Sequence, residues 1–180
     1  RRGGAVYATL NVYLHKGVFA GNSAGEPGGA VFSTRNVDVE ETTFNGNVAQ
    51  SGAGVYTTSY ATLHYAMFSD NLAEERGGAL YTGQKVDIDN SQFKNNTSLD
   101  RGGAVFSVKS ASITDSTFED NTATVNGGAV YVEENITCTY GTFINNSAGN
   151  RTGNSQSTKA RGGAMFIYDG GSLEMYNSTA

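Results

Sequence analysis

Carboxylates recur at alternate positions in this chain, as Asp38 with Glu40 and as Asp87 with Asp89, and Glu41 follows the first pair directly. Two such groups on one face of a strand stand about 7 Å apart. That separation suits the acid and base of an inverting glycoside hydrolase, which leave room for a water between them. Each pair, however, flanks an apolar residue, Val39 or Ile88, and that alternation belongs to any strand with one wet face. No third carboxylate joins a basic residue in an evident groove. His15 and His64 are the only two histidines. Strand stacking would place them roughly 9–10 Å apart, too far to share a metal. Gly21-Asn22-Ser23-Ala24-Gly25 has the spelling of a nucleophile elbow, yet nothing around it forms the required strand, turn and helix. No phosphate loop, zinc spacing or calcium repeat is present. These residues predict no catalytic centre, no cofactor and no metal. A polysaccharide lyase or hydrolase is the enzymatic alternative.

The elements that would position any site come from a repeat. Gly-Gly-Ala-apolar-aromatic begins at Gly3, Gly28, Gly77, Gly102, Gly127 and Gly162, with the variant Gly-Ala-Gly-Val-Tyr at Gly52. Successive starts lie 25, 24, 25, 25, 25 and 35 residues apart. Sixteen residues after the first six starts stand Phe19, Phe44, Phe68, Phe93, Phe118 and Phe143. Three residues further on stand Asn22, Asn47, Asn71, Asn96, Asn121 and Asn146. Between start and Phe, apolar residues alternate with polar ones, as in Val86, Ile88 and Ala111, Ile113. Period 2 means strand. The prediction is three short strands per copy, with Gly and Asn at the corners, where positive φ is cheap. Stacked copies of that kind form an all-β parallel β-helix of seven coils of about 25 residues. Residues 1–180 read as one segment of a longer array. Residues 150–161 form a polar loop inserted in it.

Stacking turns each repeat position into a column. The Phe column admits no Tyr, which predicts an interior stack of rings. The residue two before each Phe is small, leaving room for the ring. The Asn column predicts an amide ladder running from coil to coil. A second aromatic column holds Tyr7, Phe32, Tyr56, Tyr81, Phe106, Tyr131 and Phe166, and follows an apolar one that runs from Val6 to Met165. Neighbours on a strand face opposite ways. Val is assigned inward, because Tyr hydroxyls prefer water. The aromatics then form an outer strip that a flanking segment, another rod or a sugar could cover. Cys138 replaces Ile or Leu in its column and is expected to be a buried, inert thiol.

Composition agrees with this reading. Gly numbers 24 against a single Pro, which excludes collagen. The net charge of −5 argues against nucleic acid as the main partner. No apolar run is long enough for a spanning helix, so no membrane insertion by this segment is expected. The single Cys excludes an internal disulfide framework.

The paired motifs, Gly3-Gly4-Ala5-Val6 and its counterparts with Phe-x-x-Asn, resemble the repeats of the chlamydial polymorphic outer-membrane proteins over the whole chain. The resemblance implies a right-handed β-helix at the cell surface, acting as an adhesin. The chain differs from that family in showing no autotransporter barrel and in carrying six Asn-x-Ser/Thr triplets. Asn135, Asn150 and Asn177, in turns or the loop, are the better glycosylation candidates, with Asn95 and Asn145 beside them; Asn96 belongs to the ladder. The expected role is an extracellular or cell-surface structural solenoid that assembles end to end into a rod or filament. The alternative is an adhesin passenger. The corresponding partners are copies of itself, or a host surface glycoprotein or glycan.

Overall fold

A computed structural model describes residues 1–149, 161–168 and 170–180. All but the last residue of the expected loop insertion, Asn150 included, lies outside the described residues. Among those residues there is no helix, and the strands form a parallel β-solenoid of about six turns and the start of a seventh.

One coil shows how the sequence builds all of them. Its strands are Val105–Ser107, Ala111–Thr114, Thr117–Glu119 and Thr122–Ala123. Each pairs in parallel with its equivalent one coil away, residue for residue, so that Val105 meets Leu80 and Phe118 meets Phe93. Four sheets result, and in each the strands follow coil order. The two-residue fourth strand departs from the three expected. A pair of residues is too short to display a period, although its inward member had shown as the small column Ala49, Ala73, Ser98 and Ala123. The copy that is one residue short loses that residue from the turn at Gln50–Ser51, so the strands on both sides keep their register.

The core is a stack of identical layers. Val31, Val55, Leu80, Val105 and Val130 point inward and are fully buried, together with the Phe column from Phe44 to Phe118. The Phe rings lie nearly parallel, with centroids 4.6–5.1 Å apart. Stacking of this kind contributes about 0.5–1.5 kcal/mol per pair beyond the area buried. The small residue two before each Phe does make room for it: a Cβ on Gly17 or Gly141 would come within 3.2 or 3.1 Å of the ring.

The corners are more varied than expected. Each full coil turns through three left-handed residues. The first is the leading glycine of the pair, and the third is drawn from Gly21, Gly46, Asp70, Asn95, Asp120 and Asn145. These types tolerate positive φ. The second is Lys16, Glu41, Tyr65, Asn90, Asp115 or Tyr140, mostly residues that do not favour it. At Glu41, Asn90 and Asp115 a hydroxyl on the next residue braces the corner. Thr42, Ser91 and Ser116 donate to the carbonyls of Glu40, Asp89 and Thr114 at 2.7–2.8 Å. The same oxygens accept from Gly17, Ala66 and Ser91 N–H of the preceding coil at 3.0–3.1 Å. The corners at Lys16, Tyr65 and Tyr140 are followed instead by Gly17, Ala66 and Gly141, whose N–H groups donate to the hydroxyl of the next coil.

Candidate functional site

The Asn column is a closed hydrogen-bond ladder on the coil's inner side. Each amide Nδ2 donates to the Oδ1 of the next Asn at 2.9–3.0 Å, from Asn22 to Asn146. It also donates to a Phe carbonyl of the coil before, as Asn96 does to Phe68 at 3.0 Å. Each Oδ1 accepts a second bond from the backbone N–H of the preceding Asn. Asn47, Asn71, Asn96 and Asn121 are buried and fully satisfied, as buried amides must be. The ladder positions coils and leaves nothing free for a ligand.

The second aromatic column points away from the core cluster, but it is not the open strip that its tyrosines suggested. Phe32, Phe106 and Tyr131 are only 1%, 0% and 1% exposed. The cover is arginine: the guanidinium groups of Arg2, Arg76 and Arg101 lie over these three rings. Tyr56, Tyr81 and Phe166 are partly open, and Tyr7 is 56% exposed. Rings in the column are stacked nearly parallel from Tyr7 to Phe166. Burial raises the phenols of Tyr56 and Tyr131 above the ordinary tyrosine value, and pushes Tyr81 up to about 12. Burial disfavours the charged phenolate, so the folded chain holds its proton where the unfolded chain has lost it. The stability this provides is complete below about pH 10 and lost as pH rises towards 12. A titration followed by phenolate absorbance is expected to show a late step that Tyr81→Phe removes.

The carboxylate face is the outer side of the sheet containing Val86–Asp89. Asp87 meets Lys85 at 2.6 Å and Asp89 meets His64 at 2.6 Å. With Thr62, Ser112 and Thr114 they line a shallow, open depression. Both carboxylates of this pair are therefore engaged by a cationic or imidazole partner. The position between the two histidines is Glu40, in register with both, and His15 Nδ1 lies 2.9 Å from it. One column thus alternates His15, Glu40, His64, Asp89. Among the described residues no three His, Cys, Asp or Glu side chains are grouped as metal ligands would be. Ser23 of the elbow-like sequence is an exposed residue bridged to Val48. Cys138 is buried, with Sγ 3.5 Å from Ser178 Oγ.

The acceptor-type asparagines separate by burial. Asn95, Asn145 and Asn177 are exposed left-handed corners. Asn135 is exposed and accepts from Ser172 N–H and Oγ–H at 2.9 Å. Asn96 is buried with its Nδ2 doubly engaged.

Residues 90–108 and 115–133 match the model of the Chlamydia polymorphic membrane protein repeat. Both stretches run from a second-corner region through Phe and Asn to the glycine pair and the aromatic column, 25 residues apart. These two stretches are similar to that family's repeat. The columns of the matched copies, Phe93 with Asn96 and Phe118 with Asn121, continue without interruption from Phe19 to Asn146. No curated protein and no solved structure matches the chain.

Proposed function

We propose that the chain is a rigid spacer in a surface-exposed rod, continued along its axis by further coils or by copies of itself. The observation that carries this reading is the uninterrupted ladder. Each of the first six coils presents to its neighbour the same Asn amide, the same Phe ring and the same strand register. Open parallel strand edges pair readily. The polymorphic membrane protein repeat supports a place at the cell surface. Electron microscopy of the purified chain is expected to show rods that lengthen with concentration. Strictly monodisperse particles would remove the self-assembly part. Antibodies against the chain are expected to label intact, unpermeabilised cells that carry it, and labelling only after permeabilisation would remove the surface location.

One observation favours the adhesin alternative as a second reading. Tyr56 and Tyr81 are the two adjacent interior members of the aromatic column that stay partly open. Loss of binding to a host surface glycoprotein or glycan when both become Ser would support it, and unchanged binding would set it aside.

A further inference from the structure

The arginines that cover the aromatic column follow a rule. Arg2, Arg76 and Arg101 each stand immediately before a repeat start, and each reaches the ring of the following coil. The Cζ atoms lie 5.0, 5.2 and 5.5 Å from the centroids of Phe32, Phe106 and Tyr131, within the range of cation–π attraction. Of the other copies, three carry Pro27, Ser51 and Asn126 at the equivalent place, and the rings these would cover are Tyr56, Tyr81 and Phe166; the seventh carries Arg161. Those three rings are partly exposed, whereas the three beneath arginine are buried. The hydroxyl does not account for the difference, because Tyr131 carries one and is buried under Arg101.

The seat over Tyr56 has the dimensions of the filled ones. Rings on which an arginine rests are slipped from the preceding ring, with centroids 5.3, 5.2 and 4.9 Å apart. Phe32 and Tyr56 are 5.3 Å apart, while Tyr56 and Tyr81 close to 4.4 Å. Tyr56 therefore stands as far from its preceding ring as the covered rings do from theirs, and Tyr81 backs it. Arg2 is paired with Glu26 at 3.2 Å and Arg76 with Asp100 at 3.5 Å. Glu75 is exposed, bonded to Gln50 at 3.0 Å, and without an ion-pair partner among the described residues. Its charge bears on the Tyr56 phenol, less strongly than those of Arg2 and Arg76, which also reach it.

We infer that Tyr56, backed by Tyr81 and with Glu75 at its rim, is a docking seat for an arginine side chain of a partner polypeptide. The chain itself shows the bound arrangement three times. This goes beyond the rod reading and does not depend on it; it gives the adhesin reading a partner chemistry. The test is calorimetric titration of the chain with the peptide acetyl-(Gly-Arg)3-amide, with acetyl-(Gly-Glu)3-amide as comparator. The arginine peptide is expected to bind and the glutamate peptide not to. Pro27→Arg supplies the seat with an internal guanidinium and is expected to weaken binding at least tenfold, as is Tyr56→Leu, with far-UV circular dichroism unchanged. Thr137→Arg adds the same charge on another sheet and is expected to leave binding within twofold. Equal weakening by Pro27→Arg and Thr137→Arg would reduce the effect to net charge and overturn the seat. So would native affinity in Pro27→Arg, or binding of the glutamate peptide alone.

Discussion

Gly103→Ala is expected to abolish the fold of the coils around it, with a loss above about 4 kcal/mol, the range reserved for severe steric or core lesions. A Cβ at this second glycine would fall well inside contact distance of the Gly128 carbonyl oxygen and 2.6 Å from the Thr122 carbonyl carbon. Both obstacles are backbone, and both are fixed by the ladder. Gly103 N–H donates to Gly127 at 3.1 Å and Ala104 N–H to Ala129 at 2.9 Å. Relief would require the coils to part, which breaks these bonds. The one copy with alanine in this place, Ala53, has the shortened turn ahead of it. There Gly52 N–H reaches both the Arg76 and the Gly77 carbonyls at 3.0 Å, so its backbone takes another path. Gly46→Ala is the control. It has positive φ but nothing within 4 Å of its Cβ, and should cost only about 1–2 kcal/mol. Urea unfolding followed by circular dichroism compares the two, and equal midpoints would refute the steric account.

That comparison also separates what could be read from the sequence from what could not. The glycine pairs were visible as corners, but only the first member is one: Gly102 has φ 66, while Gly103 is needed for the approach of two coils. The Phe and Asn columns were legible because each is a single residue type at a fixed place, and burial of one type in every layer leaves that signature. The arginine cover was not legible for the opposite reason. It comes from a mixed position at the end of one copy and acts on the next. Its effect falls across the boundary that the repeat itself suggests. The alternating column did leave a signal, since His15, Glu40, His64 and Asp89 follow one another at 25, 24 and 25 residues. Attention to the histidines alone passed over the carboxylate between them. The hydroxyl braces of Thr42, Ser91 and Ser116 read as small residues making space, which they also do; the bonds they accept come from the neighbouring coil.

The ladder carries the other large expected effect. Asn96→Ala is expected to destabilise the chain by about 3–5 kcal/mol. Its Oδ1 is the acceptor for Asn71 N–H at 3.2 Å and Asn71 Nδ2 at 2.9 Å, and its Nδ2 is donor to Phe68 O and Asn121 Oδ1, each at 3.0 Å. Truncation leaves the buried Asn71 N–H and Phe68 carbonyl without these partners, at about 1–3 kcal/mol for each orphaned group, and opens a space that the rigid register cannot close. Asn95→Ala, one residue earlier, removes an exposed corner and a weak 3.3 Å bond to Asp70, and should cost no more than about 1–2 kcal/mol. A solenoid confines such damage to neighbouring layers. Hydrogen exchange in Asn96→Ala should therefore quicken most between Phe68 and Asn121 and least in the first coil. Uniform loss of protection along the chain would show that the coils unfold as one unit. A loss below about 1 kcal/mol would show that the ladder aligns coils without holding them together.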